Sequence, residues 1–195
     1  MKKYVIVLAT IGLLANATYA QNLKISVPQA KTKLEQLDAK TGVVLIRGYL
    51  DMGSVQGLYS TSVSVSCKEI INVSDGKKQY GIVMRVKKAT NEYVSSIDYD
   101  ELESLIKSID YMLKVKSDVA NFENIQIYYS TKDYLQIRIV RYENKVSAQI
   151  TSGTSGNIAE RTAIFNIEDL EKNVKKLLLK AKETIEAIKD SKSSQ

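Results

Sequence analysis

The sequence predicts an α+β fold, with antiparallel sheet covered by helices on one face and a four-strand-plus-helix unit used twice after an N-terminal helix. Three observations carry that expectation. Apolar residues alternate at period two through a series of short segments bounded by turn residues. Each half of the chain closes its strand-like segments with one amphipathic helix. The two helices superpose at an offset of 68 residues, which lays Ile97-Asp98-Tyr99-Asp100-Glu101-Leu102-Glu103 on Phe165-Asn166-Ile167-Glu168-Asp169-Leu170-Glu171. Strands in hairpins with helices segregated to one side make the sheet antiparallel.

The first residues read as an export signal. Lys2 and Lys3 form a positive start, and Tyr4 to Leu14 is an apolar run too short to span a bilayer as a helix. Small residues follow. Cleavage after Ala20 would use Thr18 and Ala20, and the alternative after Ala17 would use Ala15 and Ala17. No cysteine follows for lipid attachment, and no later segment approaches ~20 consecutive apolar residues. The expected product is exported, periplasmic or extracellular, and soluble.

After the signal, Ser26 and Gln29 have capping-box spacing, Pro28 suits a first turn, and Leu34 and Leu37 repeat at helical spacing until Gly42. The period then changes to two. Val44, Ile46 and Leu50 alternate with Leu45, Arg47, Tyr49 and Asp51, and a glycine-bearing stretch from Met52 to Gly57 ends that strand. The run from Ser60 to Val73 is long for one strand and would point Glu69 inward, so a bulge or break near Lys68 is expected. Asp75-Gly76 is a turn, Ile82, Met84 and Val86 alternate, and a short strand covers Tyr93 to Ile97. Asp98 and Glu101 then cap a helix whose stripe is Tyr99, Leu102, Ile106, Ile109 and Leu113.

The second half repeats this order. Ile125 and Ile127, then Leu135, Ile137 and Ile139, then Val146, Ala148 and Ile150 form inward sets, joined by turns at Lys132-Asp133 and Glu143-Asn144. The polar loop from Thr151 to Asn157 leads to a strand from Arg161 to Phe165. Asn166 caps a last helix with the stripe Ile167, Leu170, Val174, Leu177, Ala181, Ile185 and Ile188. The expected divisions are a signal over 1–20, a helical segment over 21–42, ββββα units over 43–118 and 119–190, and a disordered tail over 191–195.

Composition removes several chemistries. The 195 residues are 44% hydrophobic and 26% charged, globular values, with a net charge of +6 that signals ordinary solubility. There is no histidine, so triads, imidazole ligands and histidine bases are absent. Cys67 is the one cysteine, so neither an internal disulfide nor a thiolate metal cluster can form. It follows Val63 and Val65 at period two and reads as a small core residue. No cofactor is implied. The acidic clusters at Asp98 to Glu103 and Glu168 to Glu171 suit helix first turns, which favour negative charge. The Thr151–Asn157 loop lacks the lysine and the following helix of a phosphate cradle, and reads as a hairpin tip or an adaptable binding loop.

The outward face of the second sheet is the candidate ligand surface: Tyr128, Tyr134, Gln136, Arg138, Tyr142 and Lys145, with Gln126 and Gln149 beside them. Tyr, Arg and Gln on rigid strands combine flat apolar area with hydrogen bonding, which suits glycans, peptides or single strands. Arg47, Tyr49, Arg85 and Lys87 form a smaller analogue in the first half. In element order alone, the repeated unit resembles the Whirly and PUR-type single-strand nucleic-acid binders; no residue carries across, and export argues against a nucleic-acid partner. The expected function is a non-catalytic binding module for an envelope glycan, peptide or protein. The alternatives are a carboxylate-dependent hydrolase of envelope polymers, or a basic surface for nucleic acid or anionic lipid.

Overall fold

In a computed structural model, residues 31–116, 119–143 and 145–193 are described; the signal, its cleavage points, Ser26, Pro28 and Gln29 lie outside them. Helix α1 spans Lys33–Asp38, four strands follow as β1 (Leu45–Gln56), β2 (Thr61–Asn72), β3 (Lys78–Lys88) and β4 (Asn91–Asp98), and α2 spans Tyr99–Lys114. The second half holds β5 (Ile125–Ser130), β6 (Gln136–Tyr142), β7 (Lys145–Thr151), β8 (Thr162–Phe165) and α3. Helix α3 comprises Ile167–Asp169, a π-helical turn at Leu170–Val174, and Lys175–Ser193. The strands make two four-stranded antiparallel sheets in chain order, β1-β2-β3-β4 and β5-β6-β7-β8. The fold is α+β, and the two similar sheets suggest the internal duplication.

One core joins the halves. Val63, Val65, Cys67, Ile82, Met84 and Ile97 of the first sheet meet Leu135, Ile137, Ala148, Ile150 and Phe165 of the second, with α2 and α3 packed against them. The two helices run antiparallel, tied by Tyr99 Oη donating to Glu186 at 2.9 Å and by the ion pairs Glu103–Lys182 and Asp110–Lys175. Cys67 is buried and its thiol is pushed up to about 11 by desolvation, which keeps it protonated and inert. The sheets also touch at one backbone seam. Leu58, between β1 and β2, donates its N–H to Ile164 O at 2.7 Å and closes the free edge of β8.

Several expectations are corrected by packing. Helix α1 is capped at Thr32. Thr32 is extended (φ −89°, ψ 157°) and forms the capping box with Glu35. Strand β2 is unbroken at Lys68, and the irregularity falls on β1 between Asp51 and Gly53, so Glu69 does face inward. Strand β1 runs on through the expected loop at Met52. Val44, Ile46 and Leu50 are not covered; they are 67%, 54% and 49% exposed. Val146 is also exposed, being next to the β6–β7 turn. Leu178 is fully buried where Leu177 was expected, and Leu177 packs against the core only partly buried. Leu105 and Met112 widen the α2 stripe, and α3 continues beyond residue 190 into the expected tail.

The expected cap residues do not cap their own helices. Neither Asp98 nor Asn166 makes a side-chain cap bond to the helix it precedes. Asp98 instead accepts the N–H groups of Lys33 (2.9 Å) and Leu34 (3.1 Å), capping α1 from 64 residues away. This places α1 on the outer face of the first sheet, where Leu34 and Leu37 enclose Ile70. Gly81 makes the approach feasible, since a Cβ there would lie 2.6 Å from Leu34 Cδ1.

Candidate functional site

Helix α1 covers one sheet's outer face, whereas among the described residues no element covers the outer face of the second sheet. Alternation and register build that face in rows. Tyr128, Arg138, Gln149 and Ile164 stand side by side across β5, β6, β7 and β8. Ser130, Gln136, Thr151 and Thr162 form the next row, Gln126, Val140 and Ser147 another, and Tyr142 faces Lys145 at the far corner. The expected strand residues Tyr128, Gln136, Arg138, Tyr142 and Lys145 therefore share one face. Tyr128 and Tyr142 are 62% and 56% exposed, while Gln136, Arg138 and Gln149 are half-buried among their neighbours.

Tyr134 departs from expectation. It lies in the turn before β6, in the left-handed region (φ 54°), with its N–H on Thr131 O. Its ring carries the Lys31 ammonium 3.2 Å from the centroid. From there it lines a groove of about 260 Å³ with Ser130, Gln136, Thr151, Gly153, Thr154, Ile158 and Arg161. The serine- and glycine-rich loop thus forms one wall of the groove.

Hydrogen bonds stiffen this corner. Gln136 donates to Ser130 Oγ at 3.1 Å and accepts from Arg138. Thr151 and Thr162 share a bond of 2.8 Å, and Arg161 holds the loop through the carbonyls of Ser152 and Gly153. The Nε atoms of Arg138 and Arg161 are buried without a partner among the described residues. None of the face or groove residues is acidic, so the surface is cationic and rich in neutral hydrogen-bonding groups. Arg161 was not among the candidates because β8 meets the face only through β7–β8 pairing. The period-two signal of the short β8 was too brief to reveal this.

The smaller analogue is not a matching site. Arg47 and the buried Lys68 both pair with Asp38 of α1, and Arg85 pairs with Ser66 and Glu92. Ion pairs that hold α1 use the charge that looked available.

Carboxylates gather where α1 meets the β5–β6 turn. Glu35 accepts the N–H groups of Lys31 and Thr32, Asp133 accepts Ser96 N–H at 2.8 Å, and the two carboxyls hydrogen-bond each other. Burial, with the Glu35 charge added, pushes Asp133 up to about 6, against the Ser96 N–H and Lys31, which pull it down. Glu101 accepts Lys132 N–H at 2.9 Å and is also raised, chiefly by burial. These groups are occupied in holding backbone. Among the described residues no group of three or more potential ligand side chains could hold a metal, and no helix is long and apolar enough to cross a membrane.

Asp133 sets a pH dependence. A carboxyl raised by folding favours the folded state below its unfolded pKa, and that advantage is lost as pH rises toward the folded value, here about 6. Asp133→Asn keeps an acceptor for Ser96 and offers Glu35 a donor. It should raise Tm at about pH 7 and change it little at about pH 4, read by thermal melts across that window.

Compared with protein-family models, curated proteins and solved structures, the chain matches none. Its function has to be argued from this surface.

Proposed function

We propose that the protein is an exported, non-catalytic binding module that holds an envelope glycan bearing anionic groups on the open face of its second sheet. The observation that carries this reading is the row Tyr128–Arg138–Gln149, set across three strands and left uncovered by the described residues while the opposite sheet's outer face has its own helix. Strand backbones hold these side chains at fixed spacing, so little ordering entropy remains to oppose binding. Tyr128 and Tyr142 offer ring faces to sugar rings, Gln136 and Gln149 offer paired donors and acceptors to hydroxyls, and Arg138 and Lys145 attract negative groups. The groove at Tyr134 and Arg161 has room for one branch or end of the polymer. Export rests on the Lys2–Ala20 segment, which fits a cleaved signal.

The test is co-sedimentation with purified peptidoglycan and titration with soluble anionic polysaccharide. Changing Tyr128 and Arg138 together to alanine should weaken binding about tenfold or more, with Tm almost unchanged because both project from the outer face. Unchanged binding by this variant would overturn the assignment to this face. Repeating the titration at rising salt separates the readings. Binding to nucleic acid or anionic lipid falls steeply with salt, whereas an anionic glycan loses only the share held by Arg138 and Lys145 and keeps the stacking and neutral hydrogen bonds.

A further inference from the structure

Strand β1 is a long sheet edge with an unusual surface. Edge strands expose unpaired backbone groups, and stable monomers blunt them with charge, covering elements or bulges. Two of the four edges here are covered in that way. Strand β8 meets Leu58, and β4 meets Asp133, whose carboxylate accepts Ser96 N–H. Among the described residues the start of β1 has no such cover, and it carries apolar side chains: Val44, Ile46, Tyr49 and Leu50 are 67%, 54%, 54% and 49% exposed. Val73 beside them is 53% exposed. An apolar patch of this kind on an open edge marks a contact surface.

The backbone specifies how a partner strand would pair. Val73 donates its N–H to Val44 O, so by alternation the main-chain groups of Val44, Ile46, Gly48 and Leu50 face β2. Those of Leu45, Arg47, Tyr49 and Asp51 face outward. The bulge at Met52 ends the pairable stretch. We infer that β1 pairs antiparallel with β1 of a second copy of this chain, centred on Tyr49, and so joins the two first sheets into one eight-stranded sheet. In this register Arg47 of each copy stands opposite Asp51 of the other, and the two Tyr49 rings meet on the two-fold axis. Centring the pair on Arg47 or on Asp51 instead would set like charges face to face. On the inner face, Leu50 of the second copy falls opposite Gly48. It would fill an open cavity of about 190 Å³ bounded by Gly48, Leu50, Glu69, Tyr80 and Ile185. The pairing uses a different sheet from the proposed ligand face and stands or falls independently of it.

Sedimentation equilibrium of the full chain, as its host processes it, should show a concentration-dependent dimer. Arg47→Asp and Asp51→Arg, each alone, should weaken the dimer about tenfold or more, and the double exchange should restore it, because opposite charges again face each other. Tyr49→Cys gives a readout that does not depend on the Arg47–Asp38 contact. Under mild oxidation it should cross-link to itself, while Arg47→Cys should not, since Cys67 is buried. A chain monomeric at every concentration overturns the inference. So does a dimer indifferent to both charge reversals, or self-cross-linking by Arg47→Cys in place of Tyr49→Cys.

Discussion

Asp98→Ala should unseat helix α1 from the first sheet. The Asp98 side chain is almost fully buried, accepts two N–H groups of α1, and has the Lys132 ammonium 3.8 Å away. Removing it leaves the buried Leu34 N–H and the part-buried Lys33 N–H without their acceptor, a loss of about 3 kcal/mol. A helix of six residues has no stability of its own in water, so α1 cannot persist once its cap and seat are gone. Leu34 and Leu37 would then leave Ile70, and Asp38 would release Lys68 and Arg47. The expected result is a fall in Tm of about 6–12 °C, with fast hydrogen exchange confined to 32–39 and the facing part of β2. Asp98→Asn, which keeps one acceptor, should lose less. Retained protection in α1 for the alanine variant would show that the leucines alone seat the helix.

Gly57→Ala should open the seam between the sheets. Gly57 donates its N–H to Thr61 O at 2.8 Å, directly before the Leu58–Ile164 bridge. A Cβ at Gly57 would lie 2.5 Å from Ile164 O and 2.6 Å from Thr61 Oγ1. Thr61 Oγ1 also accepts Ile164 N–H, so neither atom can retreat without breaking a bond that closes β8. Overpacking of this kind costs about 3 kcal/mol, or a fall in Tm of about 6–12 °C. The variant should also expose Ile164 N–H to exchange while the central amides of β2 and β3 stay protected. Alanine at Gly76, whose Cβ would meet nothing within 4 Å, provides the contrast. Its φ of 66° makes a modest local cost the expected result there.

Legibility in the sequence tracked how local each cause is. Strands β5, β6 and β7 were readable because alternation puts Ile137 and Ile139 on one side and Gln136 and Arg138 on the other, whatever they pair with. The same alternation placed Cys67 inside and grouped the strand residues of the candidate face. Helix caps were misread because capping is decided by reach. Asp98 precedes α2 at ideal spacing, yet its carboxylate serves the N–H groups of α1, which chain order does not bring near. Tyr134 was assigned to a strand because nothing in its neighbours forecasts a left-handed turn residue.

The sequence by itself determined the α+β class, the order of strands and helices, and the absence of histidine, disulfide and thiolate-cluster chemistry. Periodicity and composition are enough for these, since each depends on a residue and its near neighbours. Tertiary structure alone decided which outer face α1 covers and which stays open, that the serine-rich loop walls a groove with Tyr134 and Arg161, and that Val44, Ile46 and Leu50 end on an uncovered edge. The physical reason is that burial is settled by competition between distant elements. An apolar strand face is core only where a helix reaches it, and Val44, Ile46 and Leu50 at the start of β1 stay exposed among the described residues.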